Sequence, residues 1–173
     1  MSHNLLVKYP NLLDITMYDE NRQKESLLRI FKRDVEENSN FKFRKKQIWP
    51  TKKADGESSM LTLFKHLVCF SEDSGQGFKS RPGIDNPRAI RLHWVKVHVD
   101  EANGAVIDVF SFPDRISGKT RVRTYIYNKT QKYVVIVEPQ NTGTDYYLIT
   151  AYYLTWGLDQ IENKSKKRLP NIH

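Results

Sequence analysis

Residues 121–155 read RVRTYIYNKTQKYVVIVEPQNTGTDYYLITAYYLT, the most strongly patterned stretch of the chain. Residues 121–127 are rich in β-branched and aromatic side chains, and 128–132 are polar and turn-like. Residues 133–138 form a mostly apolar run, short enough for a strand and too short for a typical helix. Pro, Asn, Thr and Gly in 139–145 break that run and open a loop. Residues 146–155 return to aromatic and β-branched types. Close runs joined by short loops read as antiparallel neighbours, so the stretch predicts a three-stranded meander. Alternate strand residues share a face. Tyr147, Ile149, Ala151 and Tyr153 therefore fall on one side of the last strand, with Leu148, Thr150 and Tyr152 on the other. Ala151 is small where a helix can approach, which assigns its side to the core and the Thr150/Tyr152 side to a more open surface.

Working outward, residues 105–112 predict a fourth strand, bounded by Asn103-Gly104 and Pro113-Asp114. Before it, Asp85 or Asn86 is placed to cap a helix with Pro87 in its first turn, where a missing N–H costs nothing. Ile90, Trp94 and Val97 make its apolar stripe. Arg88, Arg91, His93, Lys96 and His98 occupy the remaining positions. Residues 95–99 also alternate, so a strand competes there; the start signal favours the helix. Ser58 or Ser59 caps another helix over 60–70, with Met60, Leu61, Phe64, Leu67 and Val68 as its stripe. Lys65 and His66 lie off that stripe, where a histidine is as readily an ordinary surface residue. Residues 71–80 are Gly/Ser-rich, and 51–57 form a polar loop.

Nearer the start, residues 41–49 read FKFRKKQIW and stop at Pro50. Aromatics mixed with Lys42, Arg44, Lys45 and Lys46 suggest an edge strand, which lysines protect from pairing. The same cations suit a phosphate backbone. Asp19 caps a helix running to about residue 38, with Leu27, Leu28, Phe31 and Val35 inward. Its other face mixes Arg22, Arg29 and Arg33 with Glu25 and Glu36, as a solvated face does. The domain reading is an N-terminal helical extension at 1–40, a core at 41–156 and a basic tail at 157–173. Residues 164–168 of that tail are expected to be unstructured.

Composition bounds the function. The 173 residues are 39% hydrophobic and 12% aromatic, enough for a real core. A net charge of +8 and a pI near 9.5 point to an anionic partner, nucleic acid first. The single Cys69 excludes an internal disulfide and a multi-cysteine zinc site, and suits a reducing cytoplasm. Nothing resembles a signal peptide, and no uncharged run approaches the ~20 apolar residues of a membrane span. No metal-ligand spacing, phosphate-binding glycine loop or nucleophile elbow is present, and no feature requires a cofactor.

What remains is histidine and arginine on two helices ahead of a meander, in a basic domain. RNA cleavage by its own 2′-OH needs a base, an acid and cations on the phosphorane oxygens. Histidine serves the first two near neutral pH and arginine the third. The segments LFKHL (63–67), Arg81-Pro82, RAIRLHW (88–94), YVVIV (133–137) and LITAY (148–152) resemble the phage-borne members of the barnase–EndoU–colicin–RelE ribonuclease superfamily, over residues 42–155.

That resemblance implies an α+β fold, with helices followed by a roughly four-stranded antiparallel sheet and an RNase site on its open face. It implies a metal-independent endoribonuclease of a phage or mobile element, acting on single-stranded RNA in a bacterial host's cytoplasm, with a host protein or immunity protein as a further partner. His66 or His93, Arg88 and Thr150 stand where the family's catalytic groups fall. Arg88 would bind the scissile phosphate, and Thr150 would position a phosphate oxygen or the 2′-OH. Lys45, Lys65, Arg81, Arg121 and Arg123 would hold the backbone; in the non-catalytic alternative, exposed Tyr152 or Tyr146 would stack bases. The alternatives are a nucleic-acid-binding protein without catalysis, and a phage factor docking on a host protein through the helix at 19–38.

Overall fold

The computed structural model describes residues 3–51, 56–70, 72–73, 79–80, 83–102 and 107–173. Arg81 and much of the loops expected at 51–57 and 71–80 lie outside these residues. The chain folds as two compact units, Met1–Ser39 with Lys52–Val97, and Asn40–Thr51 with His98–His173.

The first unit is built on helices. Helix α1 (Glu20–Phe31) starts where Asp19 accepts a hydrogen bond from the Arg22 amide at 3.0 Å, and continues into a π-helical turn over Lys32–Glu36. Its buried stripe is Ser26, Leu27, Ile30 and Phe31, so Ile30 takes the inward place expected of Leu28. The buried Asn4 ties the segment before it down, donating to the Asp14 carbonyl at 2.8 Å and to Ser26 Oγ at 3.1 Å. Helix α2 (Ser59–Val68) is capped by Ser58, and Phe64 meets Phe31 with ring centroids 5.5 Å apart. Between them, Leu27, Phe31, Phe64, Leu67 and Val68 are almost wholly buried, each such side chain contributing about 1.5–3 kcal/mol.

The single helix expected after Pro87 is two: α3 (Asn86–Ala89) and α4 (Trp94–Val99), whose last two residues belong to the second unit. The start signal holds, with Asp85 as cap. The break has a local cause. The Ile90 carbonyl accepts from the Leu13 amide at 2.9 Å, and the Trp94 amide turns to Arg91 instead, at 2.8 Å. A carbonyl drawn away from the i+4 amide ends the ladder, and that partner is distant in sequence.

The second unit is a six-stranded sheet in the order β1 (Lys42–Phe43), β2 (Lys46–Pro50), β8 (Tyr146–Tyr153), β7 (Tyr133–Pro139), β6 (Lys119–Asn128) and β5 (Ile107–Ile116), backed by α5 (Leu158–Lys166). Two further short strands, β3 (Glu72–Asp73) and β4 (Lys79–Ser80), pair with each other in the first unit. The meander is as expected: β6, β7 and β8 are antiparallel neighbours, and β5 extends them. The four-stranded antiparallel sheet is corrected to a six-stranded mixed one within an α+β fold. The segment at 41–49 forms a hairpin whose β2 lies parallel to β8. Alternation in sequence identifies a strand but not its partner or direction.

Face assignment along β8 also shifts. Ile136 faces Thr150 while Val137 faces Leu148, so the register slips at Ile149. An extra residue in one strand exchanges the faces beyond it. Tyr146, Leu148 and Ala151 are the buried residues of β8, whereas Ile149, Thr150 and Tyr152 are half-buried; the more open surface expected at Tyr152 is corrected, since Tyr152 packs against the cluster under α5. Tyr147 crosses over. It is opposite Glu138, on the Thr150/Tyr152 side rather than with Ala151.

The basic tail is corrected as well. Residues 164–166 end α5, whose Ile161 joins a core cluster of Phe110, Tyr125, Tyr127, Val134, Ile136 and Leu154, with Leu158 packed against it. Within α5 the apolar residues Leu158 and Ile161 are only two, a stripe too short to stand out beside so many charges.

Candidate nucleic-acid interface

The second unit's sheet carries a row of side chains across four strands. Trp49 on β2 is level with Tyr147 on β8, and Tyr147 with Glu138 on β7. Glu138 in turn holds Arg123 of β6, Nε to Oε2 at 3.3 Å, and Arg121, Nη1 to Oε1 at 2.7 Å. Residues level in a ladder share a face. Trp49 is 45% exposed, Arg121 is exposed, and Tyr147 and Arg123 are half-buried. Where the row reaches β6, Lys119, Arg121, Glu138, Pro139 and Asn141 line an open groove of about 390 Å³. Two arginines against one carboxylate leave a net positive charge, and exposed Lys119 adds to it.

Local sequence sets each of these positions. Ser117 and Gly118, with φ of 48° and 78°, make the two-residue turn that returns the chain at Lys119. Asp145 accepts from the Trp49 indole N–H at 3.0 Å and from the Gln47 amide at 3.2 Å, so one carboxylate fixes both β2 and the tryptophan ring. Lys45 sits at the tip of the β1–β2 hairpin, exposed, with φ of 72°. Its neighbour Arg44 forms a two-pronged ion pair with Glu101, both N–O distances 3.0 Å, which raises the arginine's pKa further.

Under α5 the same sheet buries a polar triad. Tyr125 Oη donates to Asp114, and Lys164 Nζ donates to Asp114 at 2.6 Å and to Tyr125 Oη at 2.8 Å. Burial, and then the Asp114 carboxylate, push the Tyr125 phenol far above its ordinary pKa, so it is a fixed donor. On the other face, buried Ser111 and Thr124 share a hydrogen bond of 2.8 Å. The His173 carbonyl accepts from Thr124 and from Tyr146 Oη, both at 2.7 Å.

In the first unit the structure brings His66 and Arg88 together. Arg88 Nη1 donates to the His66 carbonyl at 3.3 Å, and Arg88 Nε pairs with Asp85 at 3.1 Å. Both residues are half-buried. Lys65 is ion-paired with Glu57. His93 is only 4% exposed and donates from Nε2 to the Asn11 carbonyl at 3.0 Å. Burial lowers its pKa to about 4, so it stays neutral near pH 7. With Nε2 committed and Nδ1 enclosed without a partner, His93 is a packing residue in this conformation. Thr150 and Tyr152 belong to the second unit; Thr150 lies beside the register slip and Tyr152 packs against the α5 cluster.

Sequence reading identified Arg121 and Arg123 but missed Trp49, Tyr147, Lys119 and Glu138. The aromatic and cationic mixture at 41–49 was the available signal for Trp49. Tyr147 was hidden by the register slip, which strict alternation places on the wrong face. Among the described residues, no group of three or more His, Cys, Asp or Glu is placed to hold a metal ion, and no helix is long and apolar enough to cross a membrane. The molecule is thus an α+β protein whose second unit displays cations and aromatic rings on a mixed sheet. Comparison with protein families, curated proteins and solved structures finds no match to the chain.

Proposed function

We propose that this protein binds nucleic acid, RNA first, through the exposed row and groove of its second unit. The observation that carries the reading is the placing of Lys119 and Arg121 on one open groove, with Arg123 beside them on Glu138, in a chain with net charge +8. Arginine's planar fork matches phosphate oxygens, and clustered cations gain affinity by releasing counterions. The test is fluorescence anisotropy with a labelled RNA across a salt series. Wild-type affinity should fall steeply with salt. Lys119→Ala with Arg121→Ala should flatten the slope by about 0.7 for each phosphate of a single strand that is no longer neutralised. Salt-independent binding, or a double variant with the wild-type slope, would overturn the reading.

A second reading, endoribonuclease activity, is supported by the superfamily resemblance and by Arg88 lying against the His66 backbone carbonyl. The 2′-oxygen attacks phosphorus, its proton passes to a base, and the P–O5′ bond breaks as an acid protonates the leaving oxygen. The products are a 2′,3′-cyclic phosphate and a 5′-hydroxyl. Arg88 would stabilise the phosphorane and His66 would carry a proton. Pure protein should then cut RNA in EDTA, and deoxyribose 5′ to the cut should abolish cleavage while sparing binding. His66→Ala should slow cleavage about 10²–10⁴-fold. An intact RNA after incubation with binding protein would leave the binding reading alone standing.

A further inference from the structure

We propose that Trp49 and Tyr147 form a base-stacking platform, so that the ligand of the second unit is a single strand with unpaired bases rather than a duplex. The proposal rests on the nucleic-acid reading above and specifies the form of ligand its site accepts.

The rings belong to residues at the same level of the ladder on adjacent strands, whose backbones run about 4.8 Å apart. Trp49 is 45% exposed on β2, and its indole is oriented by Asp145, which accepts its N–H. Only the ring edge is used in that contact. Among the described residues, no other ring stacks on Trp49 or Tyr147, and no cation is seated over them. Neighbouring aromatics are treated differently: Tyr146 is buried, packs edge-on against Phe43 and lies beneath Lys46. Tyr152 packs against the α5 cluster. The bases expected to stack on Tyr146 or Tyr152 therefore have their platform one register away.

The row also has direction. Moving from β2 to β6 it passes from rings (Trp49, Tyr147) to charge (Glu138, Arg123, Arg121). A base laid on the rings places its own phosphate toward the arginines and Lys119, while Glu138 is already neutralised by the two guanidinium groups. Aromatic rings on a sheet face beside α5, with cations at their margin, hold splayed bases, which a duplex keeps stacked inside itself. Every base has a π-face, so the platform is tolerant of sequence. Asp145 is a positioning residue in this scheme, since it acts through the ring it holds.

The experiment compares full-length wild type with Trp49→Ala, Trp49→Phe, Tyr147→Ala and Asp145→Asn, by anisotropy on a single-stranded RNA and on a duplex of the same length. Wild type should prefer the single strand. Trp49→Ala should weaken single-strand binding about ten-fold with duplex binding nearly unchanged. Trp49→Phe should recover part of the loss, and Asp145→Asn should fall between. Far-ultraviolet circular dichroism confirms that each variant is folded. Equal losses on both ligands, or no loss on either in a folded Trp49→Ala protein, would overturn the platform while leaving nucleic-acid binding in place. Absence of wild-type binding to both ligands would overturn the broader reading, and the platform with it.

Discussion

In the first unit Arg33, Arg88 and His93 all end on oxygens of that same unit: Arg33 on Asp34 and the Leu5 carbonyl, Arg88 on Asp85 and the His66 carbonyl, His93 on the Asn11 carbonyl. In the second unit Lys119 and Arg121 stand exposed at the rim of a groove, Arg121 giving one N–H to Glu138, and Trp49 is 45% exposed while its indole N–H is held by Asp145. The difference separates two roles that composition merges. Groups spent on internal acceptors build the fold, whereas groups carried outward by backbone geometry are available to a ligand.

The sharpest way to break this contrast is to attack the second unit's own internal charge. Asp114 is 8% exposed and is the shared acceptor of Tyr125 and Lys164. Asp114→Ala would strand Lys164 Nζ, whose side chain is 30% exposed, beside a buried phenol. Removing one partner of a buried pair typically costs about 3–5 kcal/mol. Urea unfolding should show a loss of that order, and a loss below about 1 kcal/mol would mean that the triad is solvated and that α5 is held by Leu158 and Ile161 alone.

The corresponding test of the first unit is pH. The folded-state pKa of His93 lies at about 4, below the value of about 6.5 in an unfolded chain. Above pH 6.5 the residue is neutral in both states and contributes no pH dependence. As pH falls from 6.5 toward 4 the unfolded chain takes up a proton that the fold refuses, so stability is lost, by roughly 3 kcal/mol in all. His93→Gln keeps a donor for Asn11 and removes the titration. Its stability curve should be flatter over that window, measured by denaturant midpoints at pH 7, 5.5 and 4.5. An unchanged acid slope would show that His93 is hydrated in solution, and would return it to the set of candidate proton carriers.

Much of the fold was legible in local patterns, and the misses share one physical cause. The meander, the caps at Asp19, Ser58 and Asp85, and the helices they start are written within a few residues of themselves. The parallel pairing of β2 with β8, the break at Ile90 and the register slip at Ile149 depend on tertiary partners, up to about 100 residues away for the first two, which periodicity does not encode. The site follows the same division. Arg121 and Arg123 were recognisable as cations on a strand, but Trp49 and Tyr147 meet only through the parallel pairing. His93 reads as an acid or base in the sequence because its partner, the Asn11 carbonyl, is far away along the chain.

The smallest effect comes from two hairpins that turn in the same way with different residues. Both β1–β2 and β5–β6 close with two-residue turns at positive φ: Arg44 and Lys45 at 46° and 72°, Ser117 and Gly118 at 48° and 78°. Glycine takes such angles without penalty, whereas a side chain costs on the order of 1 kcal/mol. A Cβ at Gly118 meets nothing within 4 Å, so Gly118→Ala isolates the backbone term and should destabilise by about 1 kcal/mol. Lys45→Gly should stabilise by a similar amount, leaving the Arg44–Glu101 ion pair untouched. If Lys45 meets a phosphate, the same change should weaken RNA binding slightly and lower its salt slope by about 0.7. Opposite signs in stability and affinity would show a lysine kept at a strained turn for its charge. Lys45→Gly with no gain in stability would mean that the turn relaxes in solution, and unchanged binding would confine the cationic contact to the groove at Lys119 and Arg121.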